Sequence, residues 1–354
     1  MKKPQYHKEV KCVVWDLDNT IWDGTLLESD IVTLKPKIKD VIIELDSRGI
    51  LNSIASKNNF EDAFEKLKEF DLDQYFLFPE INWSAKSESI KNIQKNLNIG
   101  IDTILFIDDQ PFERDEVSSI NPEVETIDAS SYLEIVNYKR LTPKFITKDS
   151  KRRRLMYLED LQRNKEEGDF KGPKEIFLVS LNMKFIISEA KEKDLERAEE
   201  LTVRTNQLNA TGRTYSYDEL RAFMQSDKHK LYVCELIDKY GSYGKIGLAL
   251  VELNDTHWYL NMLLMSCRVL SRSVGSILLS YIMQETKKAG KNLLADFKQT
   301  DRNKMMYVTY RFANFKEISN DGLGNIIFEN DLTQIQKFPS YVDIKFPECN
   351  DLGD

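Results

Sequence analysis

The chain has 354 residues, a formal net charge of −8, 41% hydrophobic and 31% charged residues, and four cysteines. This length is enough for two domains, and the acidic balance argues against nucleic acid as the main partner. Cys12, Cys234, Cys267 and Cys349 form no C-x-x-C pair, and His7, His229 and His257 lie far apart, which excludes a zinc site and a disulfide framework. No apolar run is long enough for a bilayer, and the first residues lack a signal-peptide core, so a cytoplasmic protein without a membrane partner is expected.

Val13-Val14-Trp15 reads as the end of a buried strand running into Asp16 and Asp18, with turn signals at Asn19 and Asp23-Gly24. A helix is predicted over Ile38–Ser47, closed by Gly49, then a strand to Ser56. A helix over Glu61–Phe70 and a short strand at Phe76–Phe78 follow. Ser84 is placed to cap a helix carrying Ile90, Ile93 and Leu97. The strand Thr103–Ile107 ends in Asp108-Asp109, Pro111 opens a helix, and Val124–Ile127 offers one more strand. Strands alternating with helices predict a parallel sheet with right-handed crossovers.

Polar residues recur at these strand ends. Asp16 and Asp18, one residue apart, share one side of the chain, and a divalent cation relieves the repulsion of paired carboxylates. A metal-bound aspartate can attack phosphorus while its neighbour exchanges a proton. Ser56 can donate to a phosphoryl oxygen, Lys86 can balance charge, and Asp108 or Asp109 can complete a Mg²⁺ shell.

These residues, with Trp15-Asp16-Leu17-Asp18-Asn19-Thr20 in front, resemble the four motifs of the haloacid-dehalogenase-like (HAD) phosphotransferases. The resemblance implies Asp16 as nucleophile and Asp18 as general acid and base. It assigns Mg²⁺ to Asp16, the Asp18 main-chain carbonyl and Asp108, with Asp109 as the accompanying acid. The short spacing between motifs leaves little room for a large cap.

A charged helix is predicted over Lys148–Lys165, broken by Gly168 and Gly172-Pro173. The chain therefore divides into a first domain (1–147), a helical linker (148–173) and a second domain (174–354). The basic run Lys151–Arg154 reads as a solvated face or a docking patch. Phe177–Ile187 alternates like a strand, and Leu195, Ala198, Leu201, Thr205 and Leu208 form a helix stripe. The following segment 204–213 is dense in hydrogen-bonding groups, as a polar helix exit or a substrate loop would be. Leu231–Ile237, Ile246–Leu253 and Trp258–Met265 read as successive antiparallel strands. A basic turn (Arg268, Arg272, Gly275) and an amphipathic helix come next, a strand–turn–helix that can cradle a phosphate. It resembles the Arg-x-x-Gly-x-Gly/Ala loop of the GNAT-type N-acetyltransferases, although Ile277 stands where the second small residue belongs. Cys267, between Arg268 and a helix start, is either a buried structural thiol or a nucleophile for an acyl phosphate.

Trp15–Trp22, Ser56-Lys57-Asn58, Phe106–Arg114, Arg204-Thr205-Asn206-Gln207-Leu208-Asn209 and Met265–Leu270 together resemble the FkbH-like family over nearly the whole chain. The family's Trp-Gly-Gly is here Trp22-Asp23-Gly24. The resemblance implies an α/β protein with a HAD-like parallel sheet and a GNAT-like mixed domain. It implies removal of phosphate from 1,3-bisphosphoglycerate and transfer of the glyceryl group to the phosphopantetheine arm of an acyl carrier protein, for polyketide assembly. Asp16, Asp18, Ser56, Lys86 and Cys267 would be catalytic. Thr20, Asn58, Arg204, Asn206, Gln207, Arg268, Arg272 and Gly275 would bind substrate or carrier, and Mg²⁺ would sit at Asp16, Asp18, Asp108 and Asp109. A plain Mg²⁺-dependent phosphatase and a non-catalytic carrier-binding module remain open alternatives.

Overall fold

The computed structural model describes residues 8–347 apart from Asp30 and Asn206. The chain divides into two compact units, Met1–Leu158 and Glu159–Asp354, and the division falls inside the helix Arg153–Asp169. The class is α/β throughout, as the sequence predicts.

In the first unit the described residues build a five-stranded parallel sheet around Cys12–Trp15. Leu51–Ser56 pairs on one side (Trp15 opposite Ile54) and Ile104–Asp108 on the other (Trp15 opposite Ile107). Glu80–Ile81 and Glu125–Asp128 close the edges. Alternate side chains of the central strand enter opposite layers. Val13 and Trp15 pack with Ile42, Leu45, Ala63 and Leu67, while Cys12 and Val14 pack with Ile90, Ile93, Leu97 and Val117. Burial on both faces explains the unbroken apolar run before Asp16. The Trp15 indole N–H is satisfied by Asn52 Oδ1 at 3.0 Å.

Helices cover the sheet at Ile38–Ser47, Phe60–Glu69, Lys86–Leu97 and Pro111–Ile120. Gly49 after the first of these has φ 75°, and a Cβ there would stand 2.6 Å from the Ser150 carbonyl oxygen, so glycine is required on both counts. Ser84 does not cap the third helix: Ala85 holds that position without a side-chain bond. The strand predicted at Phe76–Phe78 is absent. Phe78 adopts φ 51°, which ends extension, and Glu80–Ile81 pairs instead. The charged helix is interrupted at Arg152 into Lys148–Lys151 and Arg153–Asp169, and Gly168 lies within the latter. The basic run is half tied down, with Lys151 and Arg152 exposed. Arg153 donates to the Gly49 carbonyl, while Arg154 pairs with Asp46 and stacks over Tyr75 at 5.0 Å.

The described residues of the second unit form an eight-stranded mixed sheet. His229–Asp238, Gly241–Leu253 and His257–Met265 are the three antiparallel strands expected. Phe177 lies in a helix, Lys174–Ser180, rather than a strand. Phe177, Leu178 and Leu181 bury one helical face, and the strand begins at Met183. His257–Met265 pairs in parallel with Asn292–Lys298 only as far as Leu260 opposite Ala295. Beyond that point the segment 208–210 links the two: Met265 N–H donates to Leu208, Ala210 N–H to Leu263, and Lys298 N–H to Ala210. Among the described residues no helix is long and apolar enough to cross a membrane.

Candidate functional site

The carboxyl edge of the parallel sheet gathers residues that are far apart in sequence. Asp16 follows the central strand directly, and its N–H donates to the Ile107 carbonyl at 2.9 Å. Asp108 ends the neighbouring strand, and its Oδ1 accepts from Gln110 N–H at 2.8 Å. Lys86 opens the helix Lys86–Leu97, which points its ammonium between the two acids, 2.7 Å from Asp16 Oδ1 and 2.5 Å from Asp108 Oδ2. All three side chains are at least nine-tenths buried. Ser56, at the end of the other neighbouring strand, hydrogen-bonds the Asp16 carboxylate. Thr20 Oγ1 is buried and accepts the Asp109 N–H at 3.2 Å.

Asp18 is held differently. Its Oδ1 accepts from Trp22 Nε1 at 2.7 Å and from Leu26 N–H at 3.1 Å, and its Oδ2 from Asn58 Nδ2 at 3.0 Å. Its carboxylate is thus turned to three donors, and the described group of metal-capable carboxylates is Asp16, Asp108 and Asp109 without it.

Asp16, Asp108 and Asp109 each present one carboxylate oxygen, all within 4.8 Å of one another. Burial raises the Asp16 carboxyl above the ordinary aspartate range, opposed by Lys86, Ser56 and the Leu17 amide. Burial, with the Asp16 charge beside it, pushes Asp108 up to about 6, and burial and Asp108 raise Asp109. Lys86 is raised in turn: burial, which lowers it, is outweighed by the charges of Asp16 and Asp108. Three carboxylates face one ammonium, and Asp109 Oδ1 is buried without a hydrogen-bond partner among the described residues. Hard oxygen donors with an uncompensated negative charge fit Mg²⁺.

The remaining predicted residues lie in the second unit. Cys267 is half-buried and opens a 3₁₀ segment, Cys267–Arg272, behind the strand His257–Met265. Arg268 Nη2 donates to the Tyr243 carbonyl at 2.9 Å. Arg272 is held from within the second unit. Its guanidinium is buried and donates to Tyr243 Oη, Glu167 and Asn164. Gly275 is exposed, and a Cβ there would touch nothing. Arg204 lies 3.4 Å from Glu200, and Gln207 is exposed. Asn206 and Cys349 fall outside the described residues.

Sequence reasoning gave no role to Trp22, Lys57, Glu113 or Arg114. Arg114 donates to the Asp108 carbonyl at 2.7 Å and pairs with Asp128 at 2.7 Å, tying the strand end that carries the acids. The available signal was proximity in sequence to Asp18, Ser56 and Asp108.

No family model matches the chain. It is 29% identical over 119 residues to magnesium-dependent phosphatase 1 of Homo sapiens, a match over 28% of this chain and 68% of that protein. It is 32% identical to the solved N-terminal part of BF1531 from Bacteroides fragilis, which contains a phosphatase domain complexed with Mg. That match has a TM-score of 0.32 and covers 38% of this chain and 40% of that one. The ribosomal-protein-S18-alanine N-acetyltransferase of Escherichia coli matches at 15% identity and TM-score 0.34, over 43% of this chain and 97% of that one.

Proposed function

We propose that the first unit is a Mg²⁺-dependent phosphohydrolase with Asp16 as its nucleophile. The observation that carries this reading is the buried Lys86 ammonium bridging Asp16 and Asp108, with Asp109 completing a group of three carboxylates. The similarity to magnesium-dependent phosphatase 1 supports it. A Mg²⁺ ion held by Asp16, Asp108 and Asp109 would supply positive charge to the phosphoryl oxygens. Asp16 attacks phosphorus, and the bond to the leaving oxygen breaks as that oxygen takes a proton from Asp18. Asp18 then removes a proton from water; the resulting hydroxide attacks the phosphorus, and the Asp16 carboxylate departs. Ser56 and Lys86 hold Asp16 in place, while Trp22 and Asn58 orient Asp18.

For the whole chain we propose glyceryl transfer from 1,3-bisphosphoglycerate to an acyl carrier protein. The Cys267 thiolate attacks the acyl carbon and the carboxyl-linked phosphate leaves. The carrier's phosphopantetheine thiol then displaces Cys267, and the remaining phosphate ester is hydrolysed at Asp16. Cys267 is half-buried, unlike the buried Cys12 and Cys234, and this supports the reading. A plain phosphatase is the second reading, favoured by Arg272 being spent on internal partners.

The deciding experiment is intact-protein mass spectrometry of a phosphopantetheine-loaded carrier incubated with enzyme, Mg²⁺ and 1,3-bisphosphoglycerate. A glyceryl adduct without phosphate is expected. An unmodified carrier with phosphate released would favour the plain phosphatase.

A further inference from the structure

The helix Pro111–Ile120 reaches both partners of the Lys86–Asp108 pair. Asp108 ends the strand that leads into it, and Arg114 on this helix donates to the Asp108 carbonyl at 2.7 Å. On the other side Glu116 and Asn121 hold Ser87, the residue after Lys86. Ser87 N–H donates to Glu116 Oε2 at 3.1 Å and Ser87 Oγ to Glu116 Oε1, while Asn121 Nδ2 donates to the Ser87 carbonyl at 2.9 Å. All three polar groups of Ser87 are thus bound, and the residue is 5% exposed. The mechanism above uses none of these three residues.

The bonds fall where the helix Lys86–Leu97 is weakest. The first N–H groups of a helix have no partner within it. Those of Glu88 and Ser89 turn back to the Ala85 carbonyl, but Ala85 has no side-chain oxygen to offer as a cap. Glu116 supplies from a neighbouring helix the carboxylate that the local sequence lacks. It accepts the Ser87 N–H as a cap would, and its charge faces the positive end of the helix dipole. Lys86 opens this helix, so fraying of the first turn would carry its ammonium out of line. That ammonium serves two acids at once, 2.7 Å from Asp16 Oδ1 and 2.5 Å from Asp108 Oδ2. It has no single position to spare.

We propose that Glu116 is a positioning residue of the phosphoryl site: it caps the helix Lys86–Leu97 from outside and so keeps the Lys86 ammonium between Asp16 and Asp108. This rests on Lys86 acting at Asp16 as described under the proposed function.

The test measures kcat and KM on para-nitrophenyl phosphate in the full chain with Mg²⁺, beside thermal melts. Glu116→Ala is expected to lower kcat about tenfold with KM little changed, since a misplaced group costs turnover more than binding. Glu116→Gln keeps an acceptor for the Ser87 N–H and a partner for its hydroxyl, and is expected to restore kcat to within about threefold of wild type. In a Lys86→Met background Glu116→Ala is expected to add no further loss, because its effect passes through Lys86. If Glu116→Ala does not fold, Ser87→Ala carries the same test: a lower kcat in the wild-type background and no change beside Lys86→Met. A wild-type kcat in the folded variant would overturn the proposal. So would a loss that multiplies with that of Lys86→Met, since a residue that only packed two helices together would act independently of Lys86. Absence of Mg²⁺-dependent turnover by the wild type would overturn the phosphohydrolase reading, and this proposal with it.

Discussion

The indole N–H of Trp22 donates to Asp18 Oδ1 across 2.7 Å. The ring itself is fully buried, among the apolar residues that pack under the sheet. A core side chain therefore aims the carboxylate assigned to proton transfer, and it does so with a donor that cannot titrate.

Replacing that donor separates packing from aim. Trp22→Phe keeps most of the apolar contact and loses the N–H. A hydrogen bond to a charged group contributes about 1.5–3 kcal/mol. The variant is expected to fold and to lose about tenfold in kcat on para-nitrophenyl phosphate. Steady-state kinetics beside a thermal melt checks this; full activity in a folded variant would remove Trp22 from the proton-transfer arrangement.

Lys86 answers to two acids at once. Lys86→Met removes the ammonium and leaves Asp16 and Asp108 buried beside one another without a counter-charge. Activity is expected to fall by about two orders of magnitude or more. Lys86→Arg is expected to give little rescue, because the side chain is 4% exposed and the planar fork does not fit the space of a point charge. Activity within a few-fold of wild type in either variant would contradict the assigned role.

Protons and metal compete for Asp108. Its carboxyl rises from the ordinary 3.8 to about 6 in the folded chain, through burial first and the Asp16 charge second. The folded state therefore holds the proton more tightly than the unfolded one. The stability this contributes is complete below pH 3.8 and is lost as pH rises through 6. Mg²⁺ binds the deprotonated form, so the rise in melting temperature on adding Mg²⁺ should grow from pH 5 to 7 and then level off. A Mg²⁺ effect independent of pH over that range would contradict the proposed ligand set.

In the second unit Arg163 is 1% exposed and forms a two-pronged pair with Asp238, at 2.7 and 2.8 Å. Its guanidinium also lies 4.0 Å from the Tyr243 ring centroid. Asp238→Ala removes the two-pronged partner and leaves Arg163 with Asp160 at 2.9 Å, and should destabilise the chain by about 1.5–3 kcal/mol in chemical denaturation. Arg163→Met combined with Asp238→Leu should recover only part of the loss, since Asp160 then loses its Arg163 partner and the N–H groups of Tyr240 and Gly241 lose their acceptor. A double variant no better than the single one would show that the network is needed for more than charge balance.

Local pattern was enough to place the strand before Asp16, the recurrence of polar groups at strand ends and the three antiparallel strands of the second half. Apolar runs and two-residue alternation are imposed by burial and can be read without knowing the neighbours. The pattern failed at Phe76–Phe78 and Phe177–Ser180, where short apolar clusters suit either state. There, the left-handed turn at Phe78 and a helical face formed by Phe177, Leu178 and Leu181 prevailed.

By itself the sequence determined which residue types end each strand and, through the two-residue repeat of an extended chain, that Asp16 and Asp18 leave the central strand together. Only the tertiary structure decided their partners. The order of the strands brings Lys86 to Asp16, seventy positions away, and Lys57 to Glu113, fifty-six away. It also decided that Arg272, basic and next to a helix start, spends its donors on Tyr243, Glu167 and Asn164. Charge and periodicity are local properties of a chain, whereas the partner of a buried charge depends on which segments pack against it.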